Sequence, residues 1–187
     1  MSAFYHIREL LAHPREHWLE VAERRESVNR IFRRFVVPLL CLVAVCTLLG
    51  AILFVSRFEF SAAFVIRKIG LLLFALSAGL YLSSFLINAL IPVDKRNFDG
   101  VFALLSYSSG ITFLLIAIVE LFPFPYLKEI IVLSFYSVYL YWRGIVEVLN
   151  ITESKRNGFL VLSFIIVTGV FLFLFFFFGK IFGAILS

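Results

Sequence analysis

Two groups of residues in this chain have types and spacings that chemistry uses. His13-Pro14-Arg15-Glu16-His17 matches H-x-x-E-H, a pattern in which two helical histidines hold zinc beside an acidic partner. The match fails on local geometry. Pro14 suits the first turn of a helix and leaves His13 at its start, whereas the pattern needs both histidines on one face of a continuous helix and a third ligand in a cleft. No downstream carboxylate cluster supplies that ligand, so no metal or other cofactor is expected.

The second group lies inside apolar stretches. Tyr136, Tyr139, Arg143, Glu147 and Asn150 recur at helical spacing and form one stripe. Arg143 and Glu147 are four residues apart and can pair. Ser106, Ser109, Gly110, Ala117 and Glu120 share a second face, and Ser77, Tyr81, Ser84 and Asn88 a third. At about 1.5 Å per residue, Ser106 and Arg143 both fall about 10 Å inside the membrane. These depths gather an intramembrane polar cluster of Ser84, Asn88, Ser106, Ser109, Tyr139, Arg143 and Glu147. Arg143 is expected to bond Glu147 and a hydroxyl of Ser106 or Ser109. Such a cluster either glues helices together or lines a polar cavity for an ion, proton or lipid headgroup. Acid–base catalysis has no support: no second carboxylate shares the depth of Glu147, and all three histidines precede residue 18. The chain is not expected to be an enzyme.

The elements that must position these residues follow from composition. Of 187 residues, 62% are hydrophobic, and mean hydropathy is +1.02. Soluble domains average about 45–50% apolar, so the composition places the chain in a bilayer. Five apolar runs, at about 35–55, 69–93, 101–121, 127–149 and 159–185, are each long enough to cross a hydrocarbon core of about 30 Å. They are continuous rather than alternating, which excludes a β-barrel. The expected fold is all-α: a five-helix transmembrane domain over residues 35–187, centred on the hairpin of the third and fourth runs. Pro38 falls in the first turn of span one, where proline is tolerated and can set the angle of the preceding segment. Cys41 and Cys46, five apart on one helix, point in different directions and are placed as apolar packing residues rather than a disulfide. Gly179 and Gly183 form a GxxxG, a helix-packing motif.

Residues 1–34 carry seven of the seventeen basic residues. From Pro14, the positions Trp18, Val21, Ala22, Val28, Ile31, Phe32 and Phe35 keep a 3.6 period, with charged residues opposite. This predicts an amphipathic cytoplasmic leader on the membrane surface, with Trp18, Arg30, Arg33 and Arg34 meeting anionic lipid headgroups. No polar domain remains to bind nucleic acid. With the N-terminus inside, the inner segments hold eleven basic residues and the outer ones five, which predicts a cytoplasmic N-terminus and an outer C-terminus. Asn150-Ile-Thr152 matches a glycosylation sequon, but this orientation makes its loop cytoplasmic.

The leader HPREHWLEVAE, the VVPLL opening of span one, and SYSSGITFLLIAIVELFPFP running on to YSVYLYWRGIVEVLNITESKRNG resemble the Yip-domain family, over nearly the whole chain. The short leader is similar to the bacterial branch, which implies a bacterial inner membrane. The resemblance implies a five-span protein with a cytoplasmic N-terminus and no enzymatic activity. Eukaryotic relatives interact with Rab GTPases in vesicle traffic. This chain lacks their DLYGP-like motif, and Gly110 stands where many relatives have proline. The expected role is a non-enzymatic membrane organiser or scaffold, assembling with itself or with another membrane protein. The alternative is a small transporter or channel subunit using the polar layer.

Overall fold

The computed structural model describes residues 3–54, 61–92, 96–122 and 124–185, and these are helical, with no strand among them. In chain order they form α1 (Ala3–Ala12), α2 (Pro14–Arg24), α3 (Val28–Ile31), a π-helical turn (Phe32–Val36), α4 (Val37–Phe54), α5 (Ala62–Leu90), α6 (Phe98–Leu121), a 3₁₀ helix (Pro125–Ser134), α7 (Phe135–Leu149) and α8 (Glu153–Ile185).

Among the described residues, four helical stretches are long and apolar enough to cross a bilayer: Val28–Phe54, Ala62–Leu90, Phe98–Leu121 and Glu153–Ile181. The second begins before the apolar run does, because Ser61 accepts from the Phe64 N–H and caps α5 ahead of Arg67 and Lys68. α5 ends at Leu90, where Arg96 reaches back to the carbonyls of Ile91 and Ala89, satisfying acceptors that a helix end leaves open. Asn97 opens α6 by accepting from the Gly100 N–H.

The run expected at 127–149 is not one long helix. It is divided between the 3₁₀ helix and the 15-residue α7. Pro125 at the first position donates no N–H, and the β-branched run Ile130-Ile131-Val132 holds the α geometry poorly. Asn150 sits in the left-handed region with φ 52° and closes α7, its N–H bonding the Val146 carbonyl. The sequon match is thus a helix C-cap.

Pro38 does not begin a span. It lies inside the continuous helical stretch that starts at Val28. Proline has no N–H to offer the carbonyl four residues back, and its ring crowds that carbonyl. The strain is taken up in the turn just before it, where the Val37 N–H bonds the Phe32 carbonyl five residues back. Cys41 is exposed and Cys46 buried, as their spacing indicates.

α6 is the centre of the bundle. In its most apolar window 67% of residues are buried, against 17% for α8. It packs against α4, α5, α7 and the leader, while α8 lies outside, against α5 and α7. The hairpin of α6 and α7 therefore exists, but α6 alone is its central member. Gly179 has open space beside it, since a Cβ there would meet nothing within 4 Å among the described residues.

Candidate functional site

The chain brings titratable side chains together where the leader meets α6 and α7. The leader is three helices rather than one. Arg25, in the left-handed region with φ 42°, ends α2, and the chain restarts at Val28. The cap of α3 comes from far away: Asp99, in the first turn of α6, accepts from the Val28 N–H at 3.0 Å. Ser27 stands at the N-cap position, yet its side chain makes no cap bond.

This folding lays α1 and α2 against the bundle. Trp18 is fully buried. A Cβ on Gly144 of α7 would come within 2.9 Å of the Trp18 ring and would collide with Leu104 of α6, so only glycine leaves room for the indole. Gly110 serves α6 in the same way: a Cβ there would come within 2.7 Å of the Phe35 ring and 3.3 Å of Ile7.

Between these two contacts lies a pair of histidines. His6 of α1 and His17 of α2 are buried, with Nδ1 of His6 3.3 Å from Nε2 of His17. One nitrogen must carry the proton and the other accept it. Tyr107 of α6 packs its ring 4.8 Å from that of His6 and 4.7 Å from that of Phe35, and donates its hydroxyl to Glu26 at 3.0 Å. Glu20 pairs with Arg24 and lies 3.6 Å from His17 Nδ1. Burial lowers both imidazoles from the usual 6.5 to about 4. For His6 the neighbouring His17 adds to the effect; for His17 Glu9 opposes it and Arg24 reinforces it. Both rings are thus neutral near pH 7, and one can donate to the other. The space among His6, His17, Glu20, Glu26 and Tyr107 is about 10 Å³, no larger than one water. His13, at the N-cap of α2, is exposed while His17 is buried, so the two histidines of H-x-x-E-H do not share a face. Among the described residues no three metal-ligating side chains converge.

The polar residues singled out on the spans are scattered. Ser84 and Ser106 are fully buried, and neither hydroxyl has a hydrogen-bond partner among the described residues. Asn88 accepts from the Asn97 N–H at 3.2 Å and so holds the α5–α6 turn. Ser109 donates back to the Leu105 carbonyl. Tyr139 is exposed, between Tyr136 and Trp142 in an outward ladder of rings. Trp142 donates to Asn157 and carries Arg156 3.7 Å above its ring. Glu147 faces Arg15 of α2 at 3.9 Å rather than Arg143, whose buried Nε has no partner among the described residues. The expected Arg143–Glu147–serine network therefore does not form, because α2 occupies the side of α7 on which Glu147 lies. On the leader, Arg30, Arg33 and Arg34 are exposed, but Trp18 is core rather than a membrane-surface residue. The helical period identified Trp18 as apolar and could not say against what it packs. His6 and Tyr107 are 101 residues apart in sequence, and neither bears a local mark of the other.

No curated protein and no solved structure matches the chain. The family model described as the Yip1 domain matches residues 8–176, from the middle of α1 to the C-terminal half of α8. The match takes in the docked leader as well as the apolar helices, and the chain belongs to the Yip1 domain family.

Proposed function

We propose that this multi-pass membrane protein is a non-enzymatic organiser that assembles with further copies of itself. The carrying observation is the contrast between α6 and α8: one is enclosed, the other turns most of its apolar surface, including the open position at Gly179, away from its own bundle. Against transport stands the dispersal of the polar residues, which join into no continuous path among the described residues. Anionic headgroups are the natural contacts of the exposed Arg30, Arg33 and Arg34.

In this reading the chain crosses five times, with the N-terminus cytoplasmic and the C-terminus outside, in a bacterial inner membrane. α7 alone is about 22 Å long, but with a 3₁₀ rise of about 2.0 Å the preceding ten residues add about 20 Å. Together they exceed a hydrocarbon core of about 30 Å. Phe35, one residue past Arg34, packs beside Tyr107, so the leader reaches α6 at that level. Glu147 lies against the leader, 3.9 Å from Arg15, where a charge is less costly than in hydrocarbon.

The test is cross-linking of Gly179→Cys in a Cys41→Ser background, in vesicles. Dimers at Gly179 but not at an exposed site on α4, with no ion flux from the same vesicles, support the reading. Monomer at every density, or flux abolished by Arg143→Leu, overturns it.

A further inference from the structure

A second cavity lies within the apolar helices, away from the leader. It follows α6 from Leu105 to Ile116 and is bounded by α5, α7, α8 and the end of the 3₁₀ helix, with a volume of about 260 Å³. An apolar cavity of about 150 Å³ suffices for benzene, so a ring with a substituent fits. No charged side chain lines it, which excludes a phosphate or carboxylate headgroup. Its walls are mostly hydrocarbon, with aromatic rings from Phe113, Tyr141, Phe164 and Phe171 among them.

The hydroxyls on these walls differ in their state. Ser108 and Ser109 donate to carbonyls of their own helix, and Thr112 bonds Ser137 across the α6–α7 contact. Tyr141 and Ser163 are different. Both are more than nine-tenths buried, both line the cavity, and they neighbour one another. Neither hydroxyl has a well-formed hydrogen bond to any group among the described residues. Even if one donates to the other, two O–H donors leave one without an acceptor. A buried donor without a partner is costly, and in the bilayer interior little water is at hand to relieve it.

We propose that this cavity binds a neutral membrane lipid with a carbonyl oxygen on a planar, apolar head, the class of the isoprenoid quinones. The carbonyl accepts from Tyr141 and Ser163, the head lies among the aromatic rings, and the tail leaves along the groove toward lipid. Only binding is involved, and it does not depend on how many copies assemble.

The full chain in nanodiscs of quinone-free phosphatidylcholine, titrated with decylubiquinone, tests this through quenching of its tryptophan fluorescence and through thermal stability. Saturable quenching with a raised melting temperature is expected. Tyr141→Phe and Ser163→Ala keep the shape and remove the donors, and each should weaken binding about five-fold, the scale of one lost hydrogen bond. Should either variant fail to fold, the wild-type protein decides with decylbenzene, which has the tail and ring but no carbonyl and should not compete. Quenching that rises linearly with quinone, equal binding of decylbenzene, or saturable binding of dioctanoylglycerol in place of the quinone overturns the assignment.

Discussion

The indole of Trp18 rests on the bare backbone of Gly144, a contact between the second helix of the chain and the seventh. One added methyl at Gly144 meets both Trp18 and Leu104, and neither sits at the end of a long flexible chain. Gly144→Ala is expected to lower stability by about 1–3 kcal/mol through overpacking. Gly169→Ala, where nothing lies within 4 Å, is the control and should be neutral or slightly stabilising, as alanine favours helix. Thermal melting in one detergent compares them, and equal melting temperatures would show that the leader does not seat on α7.

The histidine pair makes the leader sensitive to acid, and the sign follows from linkage. In the folded chain both imidazoles protonate at about 4; unfolded they protonate near 6.5. Below pH 6.5 the unfolded state binds more protons, so stability falls with pH. The contribution is fully present above pH 6.5 and is lost as the pH drops toward 4. At about 1.4 kcal/mol per unit, one such histidine accounts for about 3 kcal/mol, or about 6–12 °C in a chain of this size. The facing groups Glu9, Glu20, Glu26, Arg24 and Tyr107 stay in place in the test: His17→Gln should flatten the profile between pH 6.5 and 4.5, and His13→Gln should not change it. A melting temperature independent of pH over that range in the wild-type protein contradicts the buried pair.

Capping of α3 separates what local sequence indicates from what the fold does. Ser27 stands at the N-cap position, yet the bond to Val28 comes from Asp99. Asp99→Ala is therefore expected to cost about 0.5–2 kcal/mol, and Ser27→Ala close to nothing. The opposite order, read from chemical or thermal melts, would place the cap on Ser27.

Orientation is checked by reporters. If the chain crosses five times as proposed, with the inner-side excess of basic residues, a fusion after Ser187 is expected to report the outer compartment and one after Asn157 the cytoplasm. The reverse at both positions would overturn this reading, leaving either an inverted chain or one in which α7 does not cross and only the stretches Val28–Phe54, Ala62–Leu90, Phe98–Leu121 and Glu153–Ile181 do.

Much of this architecture was legible because apolar length is a local property. α4, α5, α6 and α8 each carry their own signal, and Cys41 and Cys46 were correctly placed on different sides of one helix. The 127–149 segment was misjudged because hydropathy counts apolar residues and is blind to the helical form, which proline and a β-branched run changed here. The polar stripe on α7 was real as a spacing, but its partners were misassigned. Glu147 meets Arg15, 132 residues away in sequence, and Tyr139 turns outward. The histidine site was missed for the same reason: His6, His17 and Tyr107 become neighbours only once the leader folds back, and the one visible motif there, H-x-x-E-H, joined the wrong histidine to His17.

The π turn at Phe32–Val36 has a consequence for how this sequence can change over time. A π turn holds about one residue more than an α turn, and one residue is about 100° of rotation. Deleting a residue there would let the turn relax to an α turn with the setting of the leader nearly kept, whereas a deletion in α4 beyond Pro38 would swing everything N-terminal to it about a quarter-turn, away from Gly144 and Gly110. Insertions and deletions in α4 beyond Pro38 are therefore expected to be rejected even where they leave hydropathy untouched, while a single deletion within Phe32–Val36 is expected to be tolerated. The leader inherits its angular setting from the first membrane helix, and the two can drift in sequence but not independently in length.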